Sequence, residues 1–410
     1  MFEQDDSALK VRGRLRKDIK FWKEIGASNM ILRVIEQGYL LPFVVLPQRA
    51  SFANHQSAVK NDKFVMQAIN DLLSVGSVEE VQSSSLHVIS PLGVVPKKNN
   101  KLRLILDLRY LNQHLFVKKF KYEDLLVVSQ LVSKGDWFVT FDLKNGYHHV
   151  DIASAHRTYL GFSFVMDGKV KFFQFASLPF GLATAPYIFK KTLHPLVKYG
   201  RGQGKRTVMY IDDGFAVASS QSESLSLANC VRRDLTRCGF LINEDKSNLD
   251  PHQYGEYLGY IVDLRVGMFL VPNRKVENLM SLIRNLVVCP SQSVLARSLA
   301  QIAGTIISMG LALGHVSRLF TRSIYALINS VPSLKVRVRL SEAVLQELMF
   351  WWNNFSSLVG QPIWHLSPRI DVITYSDASS SGWAGYVVQL GSYLARGISM
   401  IQGKAPTFVN

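Results

Sequence analysis

Residues 209–220 read MYIDDGFAVASS, and they place two adjacent carboxylates, Asp212 and Asp213, between two apolar runs. Two interpretations are open. Asp and Gly at such a point are ordinary turn residues, so the stretch predicts a β-hairpin with its tip in water. Neighbouring carboxylates also repel each other unless a positive charge lies between them, which indicates a divalent-metal site. Taken alone, the stretch favours the turn.

The composition narrows the class of protein to which this hairpin belongs. The chain has 410 residues, of which 48% are hydrophobic, and this length predicts roughly two to four domains with apolar cores. Lys and Arg total 47 against 31 Asp and Glu, so the formal net charge is +16. Such a balance favours a polyanionic partner such as nucleic acid; a basic but otherwise ordinary surface is the alternative.

Targeting and redox signals are weak in this sequence. No apolar run approaches the roughly 20 residues that span a bilayer, and the N-terminus has no signal-peptide pattern. The cysteines, Cys230, Cys238 and Cys289, lack CxxC spacing, which argues against a disulfide framework and a zinc site. We therefore expect an intracellular protein of the cytoplasm or nucleus that is neither secreted nor membrane-bound.

The chain upstream of the hairpin predicts helices and then strands. Residues 1–20 carry six Lys and Arg residues and few large apolar ones, which predicts a flexible basic arm, either in contact with phosphates or solvated. Helical periodicity follows in residues 21–39 and 63–76. Residues 92–106 then predict a hairpin with a basic tip, and a further buried strand ends at Asp142.

Downstream patterns alternate between strands and helices. The dipeptide Asp167-Gly168 is the strongest short hairpin signal in the chain. One helix is predicted to begin around Pro186 and another to end at Gly239. Residues 273–355 turn mostly helical, and strand character resumes near residue 370.

Two polar groups have less specific signals. The stretch SLKVRVRL alternates Lys335, Arg337 and Arg339 with apolar residues, which is typical of a phosphate-tracking stripe or of an exposed edge strand. Three histidines follow Asp142 at short spacing, namely His148, His149 and His156. Without a cysteine partner, they are interpreted as groove-facing polar residues and not as metal ligands.

Asp142 gives the Asp212-Asp213 pair a third partner. It ends one predicted strand, and several strands and a helix separate it from the hairpin, so two sheet elements can bring the three carboxylates together. Three carboxylates on a rigid sheet beside a basic groove suit two-metal phosphoryl transfer. Nucleotide polymerisation fits that chemistry.

Six motifs in one order carry a family resemblance. They are KLRLILDLRYLN (101–112), FDLKNGYHHVDI (141–152), SLPFGLATAPYIF (177–189), YIDD (210–213), NEDKS (243–247) and YLGYIV (257–262). Their order and spacing resemble the successive motifs of reverse transcriptases, in particular those of long-terminal-repeat and DIRS-type retrotransposons. The resemblance is strong over residues 80–265 and weak in the lead-in helix and in the C-terminal SDASSSGWAG stretch.

The resemblance implies an α+β fold of the right-hand polymerase type, with fingers, thumb and an antiparallel palm sheet, followed by a partial ribonuclease-H-like segment. A basic N-terminal arm and lead-in helix would occupy residues 1–55, and fingers and palm residues 56–265. A helical thumb and connection would occupy residues 266–365, and the truncated ribonuclease-H-like start residues 366–410.

The resemblance also implies roles for individual residues. Asp142, Asp212 and Asp213 would be catalytic and would bind two Mg²⁺ ions, with Mn²⁺ as an alternative and the Leu143 backbone carbonyl assisting. Tyr147 would crowd a ribose 2′-hydroxyl and so favour deoxynucleotides.

Other residues would hold the nucleotide and the primer–template. The nucleotide set is Lys97, Lys98, Arg103, Leu143, Tyr147, Phe180, Gly181 and Lys246, in which the cations would clamp the triphosphate or, for Lys246, face the leaving group. The primer and template set is Tyr210, Pro179, Tyr257, Leu258, Gly259 and Tyr260.

The C-terminal stretch predicts an incomplete second site. Asp377 resembles the first catalytic carboxylate of ribonuclease H, a chemistry that needs about four acidic ligands. Residues 378–410 contain no Asp or Glu, so we expect no ribonuclease H activity and regard Asp377 as vestigial.

The resemblance implies an RNA-directed DNA polymerase of a retrotransposon, which adds deoxynucleotides to a primer 3′-hydroxyl. Its partners would be an RNA or DNA template-primer and deoxynucleoside triphosphates, with no membrane, and its oligomeric state is left open. The first alternative is a decayed or domesticated copy that binds nucleic acid without catalysis. The second, an RNA-dependent RNA polymerase, is disfavoured by Tyr147.

Overall fold

The strands of the chain belong to several small antiparallel or mixed sheets. The computed structural model describes residues 10–96, 101–287 and 293–363, and the backbone of three strands beyond them. The strands are β1 (Ala50–Ser51), β2 (Val78–Val81), β3 (Val88–Ile89), β4 (Leu92–Pro96), β5 (Leu102–Leu106), β6 (Trp137–Asp142), β7 (Gly161–Met166), β8 (Lys169–Phe175), β9 (Arg206–Tyr210), β10 (Asp213–Ala218), β11 (Asn248–His252), β12 (Tyr254–Tyr257), β13 (Tyr260–Asp263), β14 (Met268–Leu270), β15 (Val294–Leu295), β16 (Arg337–Val338), β17 (Gln361–Pro362), β18 (Val372–Ala378), β19 (Gly382–Leu390) and β20 (Ala395–Lys404).

Helices alternate with these strands along the chain and dominate residues 273–358. They are α1 (Ile19–Glu24), α2 (Asn29–Gln37), α3 (Gln56–Val59), α4 (Asp62–Ser74), α5 (Arg109–Asn112), α6 (Leu125–Leu131), α7 (Ser154–Arg157), α8 (Ala185–Gly202), α9 (Gln221–Cys238), α10 (Asn273–Val287), α11 (Ala296–Ile307), α12 (Gly310–Leu313), α13 (Val316–Leu319), α14 (Arg322–Asn329) and α15 (Glu342–Leu358). The helical prediction for residues 273–355 is therefore confirmed.

The sheet that carries the three carboxylates has the strand order β11-β6-β10-β9. Its neighbouring strands are antiparallel. Phe141 on one face joins Leu193 of α8 and Leu235 of α9 in the main apolar core. On the other face, Phe138 stacks on Phe215 with ring centroids 4.8 Å apart. Apolar side chains on both faces bury the sheet and give the carboxylates a rigid support.

A five-stranded sheet, β1-β3-β7-β8-β2, and the β4–β5 hairpin lie earlier in the chain. The β7–β8 hairpin turns at Asp167-Gly168 with φ values of 53° and 75°, as the dipeptide predicts. The β4–β5 pair runs from Leu92 opposite Leu106 to Pro96 opposite Leu102. This pair confirms the hairpin predicted for residues 92–106, while its tip, residues 97–100, lies outside the described residues.

Helix boundaries follow the local chemistry that the sequence indicated. A proline occupies the first turn of α8, where its missing N–H is no loss. Gly239 ends α9 in the left-handed conformation, with φ of 91°. Ser220 begins α9 by accepting a hydrogen bond from the backbone N–H of Glu223. The predicted start of α8 and end of α9 are confirmed.

The N-terminal prediction of a flexible arm is wrong for residues 10–20. The Arg12 guanidinium hydrogen-bonds to Glu79, and Arg16 Nη2 donates to Asp151 Oδ2 at 2.6 Å. Asp151 is buried, and a buried carboxylate is stable only with a charge partner. The basic residues of this segment therefore belong to the folded domain, which a count of charges along the chain does not reveal.

The SLKVRVRL stretch contains the short strand β16, which pairs with β15. Val338 is buried and Arg337 is exposed, so the strand alternates as an edge strand does. The edge-strand interpretation is confirmed for these two residues. The phosphate-tracking alternative stays a prediction.

The contacts divide the chain into two compact units, Met1–Gln361 and Pro362–Asn410. In the second unit, β18, β19 and β20 form an antiparallel sheet in that order. Asp377 lies in β18 opposite Ala384, and its side chain is outside the described part. Among the residues that the structure describes, no helix is long and apolar enough to cross a membrane.

Candidate active site

The YIDD stretch forms a tight turn between β9 and β10. Tyr210 and Asp213 are paired across the hairpin, so Ile211 and Asp212 are the two turn residues. Ile211 has φ of +58°, a value that a β-branched residue rarely adopts. Such a conformation costs roughly 1–3 kcal/mol and persists where surrounding contacts hold it. The predicted hairpin is confirmed, and it is a strained one.

The strand register brings the third carboxylate to this turn. Asp142 of β6 is the cross-strand partner of Asp213 of β10, so both side chains lie on the same face of the sheet. The Leu143 N–H donates to the Asp212 carbonyl at 2.9 Å and ties the end of β6 to the turn. Gly214 must lack a side chain, because a Cβ there would lie 2.2 Å from the Phe141 ring. The three carboxylates therefore converge at one end of the sheet.

The protonation of the turn carboxylates reflects this convergence. Burial, followed by the charges of Asp212 and Asp142, raises the pKa of Asp213 to about 6. The pKa of Asp212 is also raised, mainly by burial. The positive charge of Lys246 lowers the pKa of both carboxyls, but it does not offset the effects of burial and of the neighbouring carboxylates. A site with this surplus of negative charge favours a bound cation.

The carboxylate of Asp142 has two further partners. Asn243 Nδ2 donates to Asp142 Oδ1 at 2.8 Å, and Lys246 Nζ lies 3.6 Å from the same oxygen. Ser247 Oγ accepts a hydrogen bond of 3.0 Å from the Asp142 backbone N–H. All three partners come from the NEDKS motif, which therefore orients Asp142. The structure places Lys246 beside Asp142, and its role at the leaving group stays a prediction.

The donor set fits a divalent metal of the magnesium type, because Mg²⁺ prefers carboxylate and carbonyl oxygens. In the described ranges, no group of three or more His, Cys, Asp or Glu side chains is arranged to coordinate a metal ion. Like charges repel in the absence of a cation, and Asp142 is engaged with Asn243 and Lys246. The Leu143 carbonyl accepts a 3.2 Å hydrogen bond from the Gly146 N–H. The carboxylate side chains thus need to turn toward a shared ion.

Two residues of the predicted nucleotide site, Tyr147 and Phe180, are in ring contact with each other. Tyr147 is buried, and its ring centroid is 4.9 Å from that of Phe180 and 5.2 Å from that of Phe189. Phe180 is 56% exposed, so a ligand can reach it. The charge of Asp212 acts on the Tyr147 hydroxyl, although burial is the main reason that the pKa of Tyr147 is raised. Tyr147 is therefore close enough to feel the charge of Asp212, and it contacts the exposed Phe180 ring.

The loop that carries Phe180 has one required glycine and one anchor that sequence reasoning missed. Gly181 has φ of +96°, and a Cβ there would lie 2.9 Å from the Leu106 carbonyl. Asn112 Nδ2 donates to the Gly181 carbonyl at 2.9 Å, and Asn112 Oδ1 accepts from the Ala183 N–H at 2.9 Å. Asn112 is the last residue of the first motif, and an Asn at the end of a short helix could have signalled such a role.

The cations of the predicted triphosphate clamp are described only in part. Arg103 projects from β5 opposite Val95 and is exposed. Within the described residues it forms no ion pair. Lys97 and Lys98 lie outside the described residues.

The residues predicted to contact primer and template lie in two places. Tyr210 contacts Tyr122 with ring centroids 5.0 Å apart, beside the turn. Pro179 is buried and fixes the loop before exposed Phe180.

The YLGY stretch forms a second tight hairpin that contacts the turn. Leu258 and Gly259 both have positive φ, 48° and 76°. The Tyr257 hydroxyl donates to the Asp213 carbonyl at 3.2 Å. The Tyr260 hydroxyl donates to the Ser308 carbonyl at 2.7 Å. This hairpin therefore links β10 to the helices that follow.

The prediction that the histidines face the groove is wrong for His148 and His149. They are 6% and 1% exposed, because the short 3₁₀ helix that contains them turns their rings inward. Burial lowers the pKa of His148 to about 4 and that of His149 to about 3. His149 Nε2 accepts a hydrogen bond from the Leu241 N–H, and His156 Nδ1 accepts one from the Leu41 N–H. These histidines serve the fold.

An antiparallel sheet that gathers three carboxylates at one end, between an aromatic pocket and a tyrosine-bearing hairpin, defines the palm of a right-hand polymerase. Residues 95–262 match the family model described as reverse transcriptase (RNA-dependent DNA polymerase). Over these residues the chain matches the reverse transcriptase family, and the curated relatives described next are retrotransposon polyproteins.

Two curated relatives and one solved structure illustrate the likeness. The Retrovirus-related Pol polyprotein from transposon gypsy of Drosophila melanogaster is 29% identical over 205 residues, which cover 48% of this chain and 19% of that protein. The Transposon Tf2-3 polyprotein of Schizosaccharomyces pombe (strain 972) is 28% identical over 199 residues, which cover 48% of this chain and 14% of that protein.

The foamy viral protease-reverse transcriptase, solved in complex with an RNA/DNA hybrid, has the same fold. It aligns with a TM-score of 0.64 and 16% identity over 95% of this chain and 52% of its own. The match confirms the expected right-hand polymerase fold. The chain spans about a fifth or less of the two curated relatives above.

Proposed function

We propose that this chain is an RNA-directed DNA polymerase of a retrotransposon, which adds deoxynucleotides to the 3′-hydroxyl of a primer on an RNA or DNA template. The cross-strand pairing of Asp142 with Asp213, next to Asp212, carries the proposal. The reverse transcriptase family normally uses a divalent metal, and these carboxylates supply the oxygen ligands that such an ion prefers.

In this proposal, Asp142, Asp212 and Asp213 hold two Mg²⁺ ions, or Mn²⁺ in their place, with the Leu143 carbonyl as a further ligand. When bound, the ions align the attacking and leaving oxygens and neutralise developing charge. Asn243 orients Asp142 through its 2.8 Å hydrogen bond. The carboxylates must be ionised to serve as ligands, so the raised pKa of Asp213 makes metal binding sensitive to protons near pH 6.

The surrounding residues select and hold the substrates. The buried Tyr147 ring excludes a 2′-hydroxyl, and exposed Phe180 supports the nucleotide. Arg103 and Lys246 supply positive charge for the triphosphate and the leaving pyrophosphate, and we assign the same role to Lys97 and Lys98. Tyr210 and the Tyr257–Tyr260 hairpin hold the primer end.

The same proposal extends to the organisation of the chain. We assign fingers and palm to residues 56–265, thumb and connection to residues 266–365, and a ribonuclease-H-like segment to residues 366–410. The proposed reaction consumes deoxynucleoside triphosphates, so we place it in the cytoplasm or nucleus.

Primer extension on an RNA template tests the proposal. The purified full chain is given a labelled DNA primer, with deoxynucleotides or ribonucleotides, in the presence of Mg²⁺ or of a chelator. We expect the parent chain to extend the primer only when deoxynucleotides and Mg²⁺ are both present. We expect no extension by Asp142→Asn. Preferential use of ribonucleotides would contradict the proposal. Tight binding of the primer–template without any extension would support a non-catalytic nucleic-acid-binding copy instead.

A further inference from the structure

The strand that leads into the catalytic turn lies at the edge of its sheet. β9 is the last strand in the order β11-β6-β10-β9, and it pairs with β10 on one side. In antiparallel strands, alternate residues direct their N–H and C=O groups away from the partner strand. On β9 the Thr207 carbonyl and the Met209 N–H project outward, close to Tyr210 and the turn. Edge groups of this kind need another partner or water.

One ion pair supplies partners to both outward groups. Arg201 Nε and Nη2 donate to the Thr207 carbonyl at 3.1 and 2.6 Å. The same guanidinium contacts Glu123 in a bidentate pair, with Nη1–Oε1 at 3.0 Å and Nη2–Oε2 at 2.7 Å. Glu123 Oε2 in turn lies 3.5 Å from the Met209 N–H. The pair thus continues the hydrogen bonding of the sheet where the next strand would be.

The two side chains come from elements that the palm sheet does not contain. Arg201 lies in the last turn of α8, and Glu123 precedes α6 by two residues. Their side chains are 34% and 19% exposed, so solvent screens them less than it screens a surface pair. Arginine suits this position because its planar fork can serve a carboxylate and a carbonyl together. The pair therefore couples two helical segments to β9.

The pair also adjoins the strained turn. A small cavity is lined by Glu123, Lys190, Leu193, His194, Val197, Met209 and Ile211. Ile211 is the residue with φ of +58°, and a strained conformation persists only where its surroundings hold it. Glu123 thus lies beside both the strand that precedes the turn and the strained residue Ile211.

We propose that Glu123 and Arg201 are positioning residues that fix the edge strand β9 and thereby hold Asp212 and Asp213 in register with Asp142. The inference rests on the proposed polymerase function and names residues that shape the same site. Neither residue contacts Asp142, Asp212 or Asp213 through a hydrogen bond or ion pair in the described structure. Their effect is expected on the rate of nucleotide addition and not on substrate affinity.

Kinetics of single-nucleotide addition separate this role from a general loss of stability. We expect Glu123→Ala and Arg201→Ala each to lower kcat about tenfold per active site, with the KM for the deoxynucleotide changed less than about twofold. The double variant should add nucleotides no more slowly than the slower single variant, because either substitution alone already disrupts the ion pair. Glu123→Gln keeps an oxygen acceptor and should lose only about twofold to threefold in kcat.

The Arg206–Asp136 pair is the matched control. Arg206 lies on the same strand, and its Nη1 donates to Asp136 at 2.6 Å and to the Leu131 carbonyl at 3.0 Å. This pair is at the end of β9 away from the turn, and its side chains are 28% and 5% exposed. Arg206→Ala should lower stability yet leave kcat per active site within about twofold. Equal losses of kcat in Arg206→Ala and Arg201→Ala would overturn the proposal.

Hydrogen exchange tests the same inference without requiring activity. In Arg201→Ala, the amides of residues 209–213 should exchange at least about tenfold faster than in the parent chain, whereas in Arg206→Ala they should not. An inactive parent chain would contradict the proposed function, but the comparison of hydrogen exchange between Arg201→Ala and Arg206→Ala would still test the positioning role. Unchanged exchange at residues 209–213 in Arg201→Ala, or parental kcat in that variant when the parent is active, would refute the positioning role.

Discussion

Two hairpins of this chain have turns of the same length but different chemistry. The β7–β8 hairpin turns at Asp167-Gly168 and the β9–β10 hairpin at Ile211-Asp212. In the first, the left-handed φ values fall on Asp and Gly, which tolerate them. In the second, the left-handed φ falls on a β-branched residue. Both positions of the first turn carry turn-forming residues, whereas the second turn has Ile211 at the position with left-handed φ.

The difference shows where the fold departs from local preference and why. Asp167 is exposed, and a Cβ on Gly168 would meet no atom within 4 Å, so that turn only reverses the chain. The other turn presents two half-buried carboxylates beside Asp142 and packs Ile211 against its surroundings. Departures of this kind concentrate at functional sites, where other contacts hold the strain.

The largest expected effect comes from removing one carboxylate from each turn. Asp213→Asn should lower primer extension by at least about a thousandfold, because a metal ligand is lost. Asp167→Asn makes the same chemical change at the relaxed turn and should extend the primer at the parental rate. The assay is primer extension with Mg²⁺, after circular dichroism has shown that both variants are folded. A comparable loss in both variants would remove the distinction between the two turns.

A smaller but selective effect is expected next to the strained turn. Tyr147→Ala opens the space beside Phe180 and should reduce the preference for deoxynucleotides over ribonucleotides by at least about tenfold. Tyr147→Phe keeps the ring and should retain the preference. The ratio of kcat/KM for the two nucleotide classes is the measurement. Unchanged discrimination in Tyr147→Ala would argue against its role as a gate.

The relaxed turn should respond only in stability. Gly168→Ala places a Cβ at φ of 75° without any steric contact, so the cost is conformational and should be about 1–2 kcal/mol in the free energy of unfolding. Urea unfolding monitored by fluorescence gives this value. The variant should extend primers as the parent does, and a loss of extension by the folded variant would contradict the separation of roles.

The smallest effect concerns protons at the strained turn. The pKa of Asp213 is raised to about 6 in the folded chain, so its ionised form destabilises the metal-free fold above that pH. Asp213→Asn should therefore raise the free energy of unfolding by about 1 kcal/mol at pH 8, allowing for solvent screening. The gain should shrink as the pH falls through 6 toward 4. Thermal unfolding with a chelator present measures it, and a gain that grows in acid would have the wrong sign.

The sequence predicted which segments form strands and turns better than it predicted which side chains are buried and what they contact. The hairpin at Asp212 and the strand ending at Asp142 follow from apolar runs and turn residues, and six ordered motifs indicate that they meet. Burial of His149 was not predictable, because it depends on Phe240 and Leu241, far along the chain. The same holds for Arg16, whose buried partner Asp151 is distant in sequence.

Anchoring residues were missed for a related reason. Asn112 holds the Phe180 loop through two backbone contacts, and Asn243 holds Asp142. Both residues lie in sequence motifs whose other residues were assigned the predicted roles. An amide that orients a loop or a ligand has no periodicity of its own, so only the folded arrangement reveals it.

Direct measurement of metal binding tests the central claim that the three carboxylates form one cation site. Mn²⁺ is titrated into the full chain with primer–template and a non-hydrolysable deoxynucleotide, and free ion is followed by electron paramagnetic resonance at pH 7.5. The account predicts two bound ions in the parent chain and in Asp167→Asn, with at least about tenfold weaker binding in Asp213→Asn. Parental Mn²⁺ affinity and stoichiometry in Asp213→Asn would contradict it.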